Sequence, residues 1–343
     1  MGNTKLKRMR AVGERGSECR IPPFSGPVTI PRDDESEAIR TAPAYDMNDA
    51  AMYLERMSTL RRIIGEIPAD QELTVFGNIL SGYPEKELEQ VRREIEKLTA
   101  GGHACSVIMA DPDTLCGVSF RSREPMCAQS TIKAVYIGAL LEDQPEAAMD
   151  NGRYMREAIV FSDNEAYERL RRIYGPAPLL KWCLQTGVDP GFARADYPRD
   201  GNARDMLRLW TRLYEFFNGG KDVLNFGAYY ADTSASAARK QLSGRCPVQT
   251  KAGWEHGLDE NRNFDPCAVI PERFTDRDPS NDECAINDTG IVYTDCGPYL
   301  FVIYTDHPFG VFRDYVTPNP LYGLAEALFR LKKSFHNLNV YPY

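Results

Sequence analysis

The sequence predicts an α+β fold, in which an antiparallel sheet carries flanking terminal helices and an inserted all-helical subdomain. Three observations lead there. Short apolar runs bounded by turn residues come in two groups, at 104–120 and 248–305. Between the groups, residues 130–220 carry helical spacing. Amphipathic helical patterns at 85–98 and 321–335 bracket the whole arrangement.

Residues 1–44 mix charges with Pro22, Pro23, Pro27, Pro31 and Pro43 and show no apolar period, so they read as mobile or extended. An amphipathic helix is expected at 46–66, with Met52, Leu54, Leu60, Ile63 and Ile64 as its apolar side. A second helix starts after Pro84 and stops near Gly101-Gly102. Strands at 104–110 and 115–120 form a hairpin through Asp111-Pro112-Asp113-Thr114. After Gln129, Ile132, Val135, Tyr136 and Leu140 fall at helical spacing, and 151–173 reads as one helix ended by Gly175-Pro176. A short helix at 179–185 precedes a loop rich in Asp, Pro and Gly at 187–202. Asn202 has the chemistry of an N-cap for a helix over 203–217.

Strands are expected at 248–254, 285–294 and 299–305, the last two joined by Cys296-Gly297-Pro298, and a closing helix at 321–335. The chain divides into an N-terminal extension at 1–84, a domain at 85–335 and a tail at 336–343. Within the domain, an insertion at 255–284 holds nine acidic and three basic residues, a net −6. It reads either as a solvated insertion or as an acidic lip that disfavours polyanions and favours a substrate amine.

At 343 residues the chain can bury a large core, and 43% hydrophobic with 26% charged residues is ordinary for a soluble globular protein. A net charge of −8 opposes nucleic-acid binding, which needs a basic face. No apolar run approaches a membrane span. The basic N-terminus (Lys5, Lys7, Arg8, Arg10) is not followed by the apolar segment of a signal peptide. The sequence thus leaves two readings, a cytoplasmic protein or one whose export signal lies outside it. Nine cysteines form no CxxC pair and there are four histidines without HExxH, so neither a metal nor another cofactor is expected. The cysteines read mostly as reduced, buried thiols, although Cys267 and Cys284 are spaced so that they can close a loop.

Three short motifs carry chemistry. In Ser130-Thr131-Ile132-Lys133 the serine and lysine, three apart on a helix, share one face, which lets the amine come within reach of the hydroxyl. A serine hydroxyl is a weak nucleophile until a neighbouring base takes its proton. A chain of this length contains roughly one Ser-x-x-Lys by chance, so the motif alone decides nothing. Ser162-Asp163-Asn164 interrupts an apolar helical run (Ile159, Val160 and Phe161 before it, Ala166 and Tyr167 after), against local preference. Lys251-Ala252-Gly253 follows on a strand.

In this order and these contexts the three motifs resemble those of the serine β-lactamase and penicillin-binding protein (DD-peptidase) superfamily, with its S-x-x-K, S-D-N and K-T-G signature. The layout is closest to class A. Met126-Cys127-Ala128-Gln129 looks like the entry to the nucleophile helix, and Asp288-Thr289-Gly290-Ile291 and Val302-Ile303-Tyr304-Thr305 look like the last two strands. The resemblance covers about residues 85–335 and implies a β-lactamase/DD-peptidase-like fold and an extracytoplasmic place of action.

It implies roles as well. Ser130 is the expected acylated nucleophile and Lys133 its base, provided burial and the nearby Lys251 lower the Lys133 pKa. Ser162 would relay a proton to the leaving nitrogen, Asn164 would hold a substrate amide, and Lys251 would orient Ser162. The backbone N–H groups of Ser130 and of Trp254, the residue after Gly253, would form the oxyanion hole. Small β-lactams or D-alanyl peptides are the implied partners.

The chain departs from that pattern at three places. Ala252 replaces the hydroxyl residue that helps bind a substrate carboxylate, and Thr289 stands where class A enzymes often carry an arginine for the same group; Arg313 is a candidate substitute that no motif in the sequence marks. Losing a hydrogen bond to an anion costs on the order of 1.5–3 kcal/mol. The loop between the second and third motifs begins like Arg194-Ala195-Asp196 and ends like Arg199-Asp200, without the glutamate that activates the deacylating water. Asp196 and Asp200 read as salt-bridged loop residues before they read as its replacement. The expectation is an acyl-serine hydrolase that deacylates slowly. The alternatives are a non-hydrolytic sensor and a small-substrate amidase or esterase.

Overall fold

Six strands are found among the described residues of the computed structural model, which are 47–77, 82–198, 200–222, 224–255, 285–307 and 319–336. They are β1 (Thr74–Phe76), β2 (Cys105–Ala110), β3 (Gly117–Phe120), β4 (Val248–Glu255), β5 (Ala285–Thr294) and β6 (Gly297–Thr305). The sheet runs β1-β3-β2-β6-β5-β4 and each neighbouring pair is antiparallel. This is the antiparallel α+β architecture read from the sequence, with β1 as an added edge strand.

The helices are α1 (Met47–Glu66), α2 (Glu85–Thr99), α3 (Ile132–Asp143), α4 (Ala147–Val160), α5 (Asn164–Tyr174), α6 (Ala177–Thr186), α7 (Gly191–Arg194), α8 (Ala203–Asn218), α9 (Gly227–Ala231), α10 (Ala237–Leu242) and α11 (Leu321–His336). Side chains alternate across each strand, so the sheet feeds two cores. Val107, Met109, Phe301 and Ile303 pack against Val91 and Ile95 of α2, Leu242 of α10, and Leu324 and Leu328 of α11. Ile108, Leu300, Val302 and Tyr304 face the helical block, meeting Val135 of α3 and Trp210 and Leu213 of α8. Burial on both faces explains why these strands read as continuous apolar runs.

α1 belongs to the second core through Tyr53, Met57, Leu60 and Ile64, spaced along one stripe, while Met52 and Leu54 are more than half exposed. Its buried side is therefore rotated from the one the apolar residues alone suggested. Arg61 of α1 pairs with Glu215 of α8 at 2.5 Å. Downstream, Asp70 accepts from Ser119 Oγ at 2.6 Å and from Ser122 N at 3.2 Å, fixing the approach to β1.

The expected helix over 151–173 is two helices, α4 and α5, broken at Phe161–Asp163. The cause is local. Asp163 caps α5 by accepting from Ala166 N at 2.7 Å, and Ser162 takes a left-handed φ of 59°. Asn202 caps α8 as expected, accepting from Asp205 N at 2.8 Å. The acidic insertion beyond Glu255, residues 1–44, Cys19, Cys267, Cys284, Arg199, Arg313 and the tail beyond His336 lie outside the described residues. Cys105, Cys116, Cys127, Cys183, Cys246 and Cys296 are thiols rather than disulfides. Among the described residues no helix is long and apolar enough to cross a membrane, and no three His, Cys, Asp or Glu side chains gather as a metal-binding group.

Candidate active site

The three motifs meet where the helical block touches the sheet edge. Ser130 lies in a 3-10 turn (Gln129–Thr131) that runs directly into α3, so it sits at a helix N-terminus. Several bonds fix that turn. Thr131 Oγ1 donates to Ala128 O at 2.5 Å and lies 3.2 Å from the Tyr304 hydroxyl of β6. Asn287 of β5 donates to Cys127 O at 2.8 Å. Gln129 adopts a left-handed φ of 50°, a second strained position beside Ser162.

β4, the edge strand opposite β1, runs against this turn. A Cβ at Gly253 would lie 2.9 Å from Ser130 N and 3.0 Å from Thr131 N, so only glycine permits the approach. The Gly253 backbone and the Ser130 N–H therefore converge. Trp254, the next residue, is half-buried with Lys251 Nζ 5.7 Å from its ring centroid.

Ser162 is the meeting point of the two lysines. Lys251 Nζ donates to Ser162 Oγ at 2.8 Å and to Ala252 O at 2.8 Å. Lys133 Nζ donates to Ser162 O at 2.6 Å and Asn164 Oδ1 at 2.6 Å, with Ser162 Oγ at 3.4 Å. The hydrogen bonds of Lys133 thus go to the second motif, and the Ser130 hydroxyl is not among its partners, although a shared helix face suggested direct contact. Both lysines are buried, as are both serines. Burial lowers the Lys133 pKa to about 7, against the pull of Asp163 and Glu168. Lys251 is lowered well below its ordinary value, first by burial and then by the charge of Lys133. The influence of Lys251 expected on Lys133 is thus found in the reverse direction, and burial alone suffices to lower Lys133.

Two of the positions that depart from the motif pattern are buried in the sheet. Thr289 is fully buried and its hydroxyl donates to Lys251 O at 2.9 Å. Ala252, opposite Asp288 in the β4–β5 register, is buried too. In the loop between the second and third motifs, Asp196 pairs with Arg171 Nε at 2.8 Å. The residue that the loop brings to the lysines is Tyr197, which sequence reasoning passed over. Its hydroxyl donates to Asn164 Oδ1 at 3.0 Å, and Lys133 Nζ lies 5.7 Å from the centroids of both the Tyr167 and the Tyr197 rings. The available signal was weak, because the Asp-, Pro- and Gly-rich loop holds a second aromatic, Phe192.

In sequence, no protein-family model and no curated protein matches the chain. In structure, the TLA-3 extended-spectrum β-lactamase is similar over 71% of this chain and 98% of its own, with a TM-score of 0.52 and 12% identity. The β-lactamase from Streptomyces albus G is similar over 72% of this chain and 99% of its own, with a TM-score of 0.48 and 17% identity. That from Streptosporangium roseum is similar over 72% and 98%, with a TM-score of 0.46 and 18% identity. At these identities the likeness speaks for the fold, and the TLA-3 superposition carries it: the chain has the β-lactamase fold.

Proposed function

We propose that this chain uses its β-lactamase fold as an acyl-transferring serine hydrolase that forms an ester on Ser130 with β-lactams or D-alanyl peptides and releases it slowly. One observation supports the reading above the others: three motifs far apart in sequence converge so that two buried lysines meet at Ser162 beside the Ser130 turn. Lys133, lowered to about 7, is able to lose its proton near neutrality and accept one in turn. In this reading the Ser130 proton passes to Lys133 as Ser130 Oγ attacks the carbonyl. The backbone donors at Ser130 and Trp254 receive the developing oxyanion, and Ser162, held by Lys251, delivers its proton to the leaving nitrogen and regains one from Lys133, whose Nζ lies 3.4 Å from Ser162 Oγ. Asn164 meets the substrate amide through Nδ2, because its Oδ1 is occupied by Lys133 and Tyr197. Slow release follows from a loop whose Asp196 is turned to Arg171.

Intact mass after incubation with benzylpenicillin tests the reading. A persistent adduct that a Ser130→Ala variant lacks is the expected result. Rapid turnover with no adduct would point to another residue replacing the missing glutamate, and neither adduct nor turnover would refute acylation by this substrate. A binding or sensor protein is the second reading, favoured by Thr289, whose hydroxyl is engaged by the Lys251 carbonyl.

A further inference from the structure

The loop segment at 195–198 is fastened on both sides of Tyr197. Before it, Asp196 takes the Arg171 guanidinium at 2.8 Å through its carboxylate and the Tyr167 hydroxyl at 3.1 Å through its backbone carbonyl. After it, Ala128 N donates to Pro198 O at 3.1 Å, tying the loop to the entry of the nucleophile turn. Tyr197 therefore has little freedom, and its ring packs on Tyr167 with centroids 5.6 Å apart. Lys133 Nζ stands 5.7 Å from each of these rings, so the two aromatics flank the amine.

The hydroxyl of Tyr197 acts on the amide of Asn164. Oδ1 of Asn164 accepts from Lys133 Nζ at 2.6 Å and from Tyr197 at 3.0 Å. While Lys133 carries its proton it can only donate, so the amide atom it meets is the oxygen, the Tyr197 hydroxyl donates to that same atom, and Nδ2 is left for a ligand. Asn164 is itself exposed, so without the tyrosine this orientation would rest on Lys133 alone.

We propose that Tyr197 is a positioning residue, whose hydroxyl fixes the Asn164 amide for substrate while its ring covers Lys133 on the loop side. Its consequence for the acyl-enzyme rests on the serine-acylation reading: hydrolysis of the Ser130 ester needs a water and a base, and beside Lys133 the loop supplies a ring instead of a carboxylate. Burial, and then the charge of Glu168, push the Tyr197 phenol above its ordinary pKa, so it keeps its proton and works as a donor.

The full-length chain tests this with Tyr197→Phe and Tyr197→Ala, and two readouts. The first is burst kinetics with the p-nitrophenyl ester of N-acetyl-D-alanine, which carries an amide for Asn164. Tyr197→Phe should slow the burst roughly three- to tenfold, the loss of one hydrogen bond, and the loss should vanish in an Asn164→Ala background. Equal burst rates in wild type and Tyr197→Phe, or an undiminished loss in the Asn164→Ala background, would overturn the positioning role. The second readout needs no turnover: acetylation of Lys133 by acetic anhydride, read by peptide mass against the exposed Lys97. Tyr197→Phe should leave it unchanged and Tyr197→Ala should raise it severalfold, whereas equal acetylation in wild type and Tyr197→Ala overturns the cover. A wild type without any Ser130-dependent burst refutes acylation by this ester, and the acetylation result then decides the covering role of the Tyr197 ring by itself.

Discussion

In the proposed acyl-transfer reading, Lys133 sets the pH behaviour of the site. With its pKa lowered to about 7 by burial, the amine changes from cation to base across neutrality. The rate of Ser130 labelling by a fluorophosphonate should rise through about pH 7 and level off above it, and Lys133→Met should abolish it. Stability carries the same signature with a definite sign. Between about pH 7 and the ordinary lysine value near 10.4, the unfolded chain binds a proton that folded Lys133 does not. Stability therefore rises with pH in that window by up to about 1.4 kcal/mol per unit, and the cost is fully present below it. Lys251, also lowered, acts with the same sign. Urea midpoints near pH 7 and pH 9 should thus differ less in Lys133→Met than in wild type. Gly253→Ala should cut labelling of Ser130 sharply, because its Cβ would stand 2.9 Å from Ser130 N. The motif residues were legible because chemistry restricts their types and order. Tyr197 was not, since its contacts depend on the path of a loop held by Arg171, Tyr167 and Ala128, which are distant in sequence.

Elements were legible where they were long enough to show a period. β1, α9 and α10 span three, five and six residues, too short for periodicity to separate from loop. The single helix expected over 151–173 failed for another reason. Its apolar spacing continues through the break, and what interrupts it is Asp163 as a cap and Ser162 in a left-handed conformation. Asp163→Ala should cost about 1 kcal/mol in urea unfolding, the value of a lost cap. Its effect on Ser130 labelling should be larger than that stability loss implies, because the same turn aims Ser162 and Asn164 at Lys133. Asn202→Ala serves as the contrast, with a similar loss of stability and labelling nearly unchanged.

At the scale of the molecule, the sheet separates two cores and the chain ties its ends across it. Lys332 of α11 donates to Asp111, in the β2–β3 turn, at 2.6 Å, and both side chains are fully buried. Lys332→Met should cost about 3–5 kcal/mol by leaving Asp111 unpaired, and the double variant Lys332→Met/Asp111→Leu should recover most of it. Urea unfolding of the three proteins measures this. The fold class could be read from the sequence because strand runs and helical spacing are local properties. A pairing 221 residues apart in sequence has no local signal. The convergence at Ser162 has a wider meaning in this light. Lys133 and Ser162 ride on the helical block while Lys251 rides on the sheet, so the 2.8 Å contact from Lys251 to Ser162 crosses the seam where the block packs on one sheet face. That spacing is therefore a gauge of how the helical block is registered on the sheet. In the proposed acyl-transfer reading, a small slip at this seam would cost reactivity at Ser130 before it cost the fold.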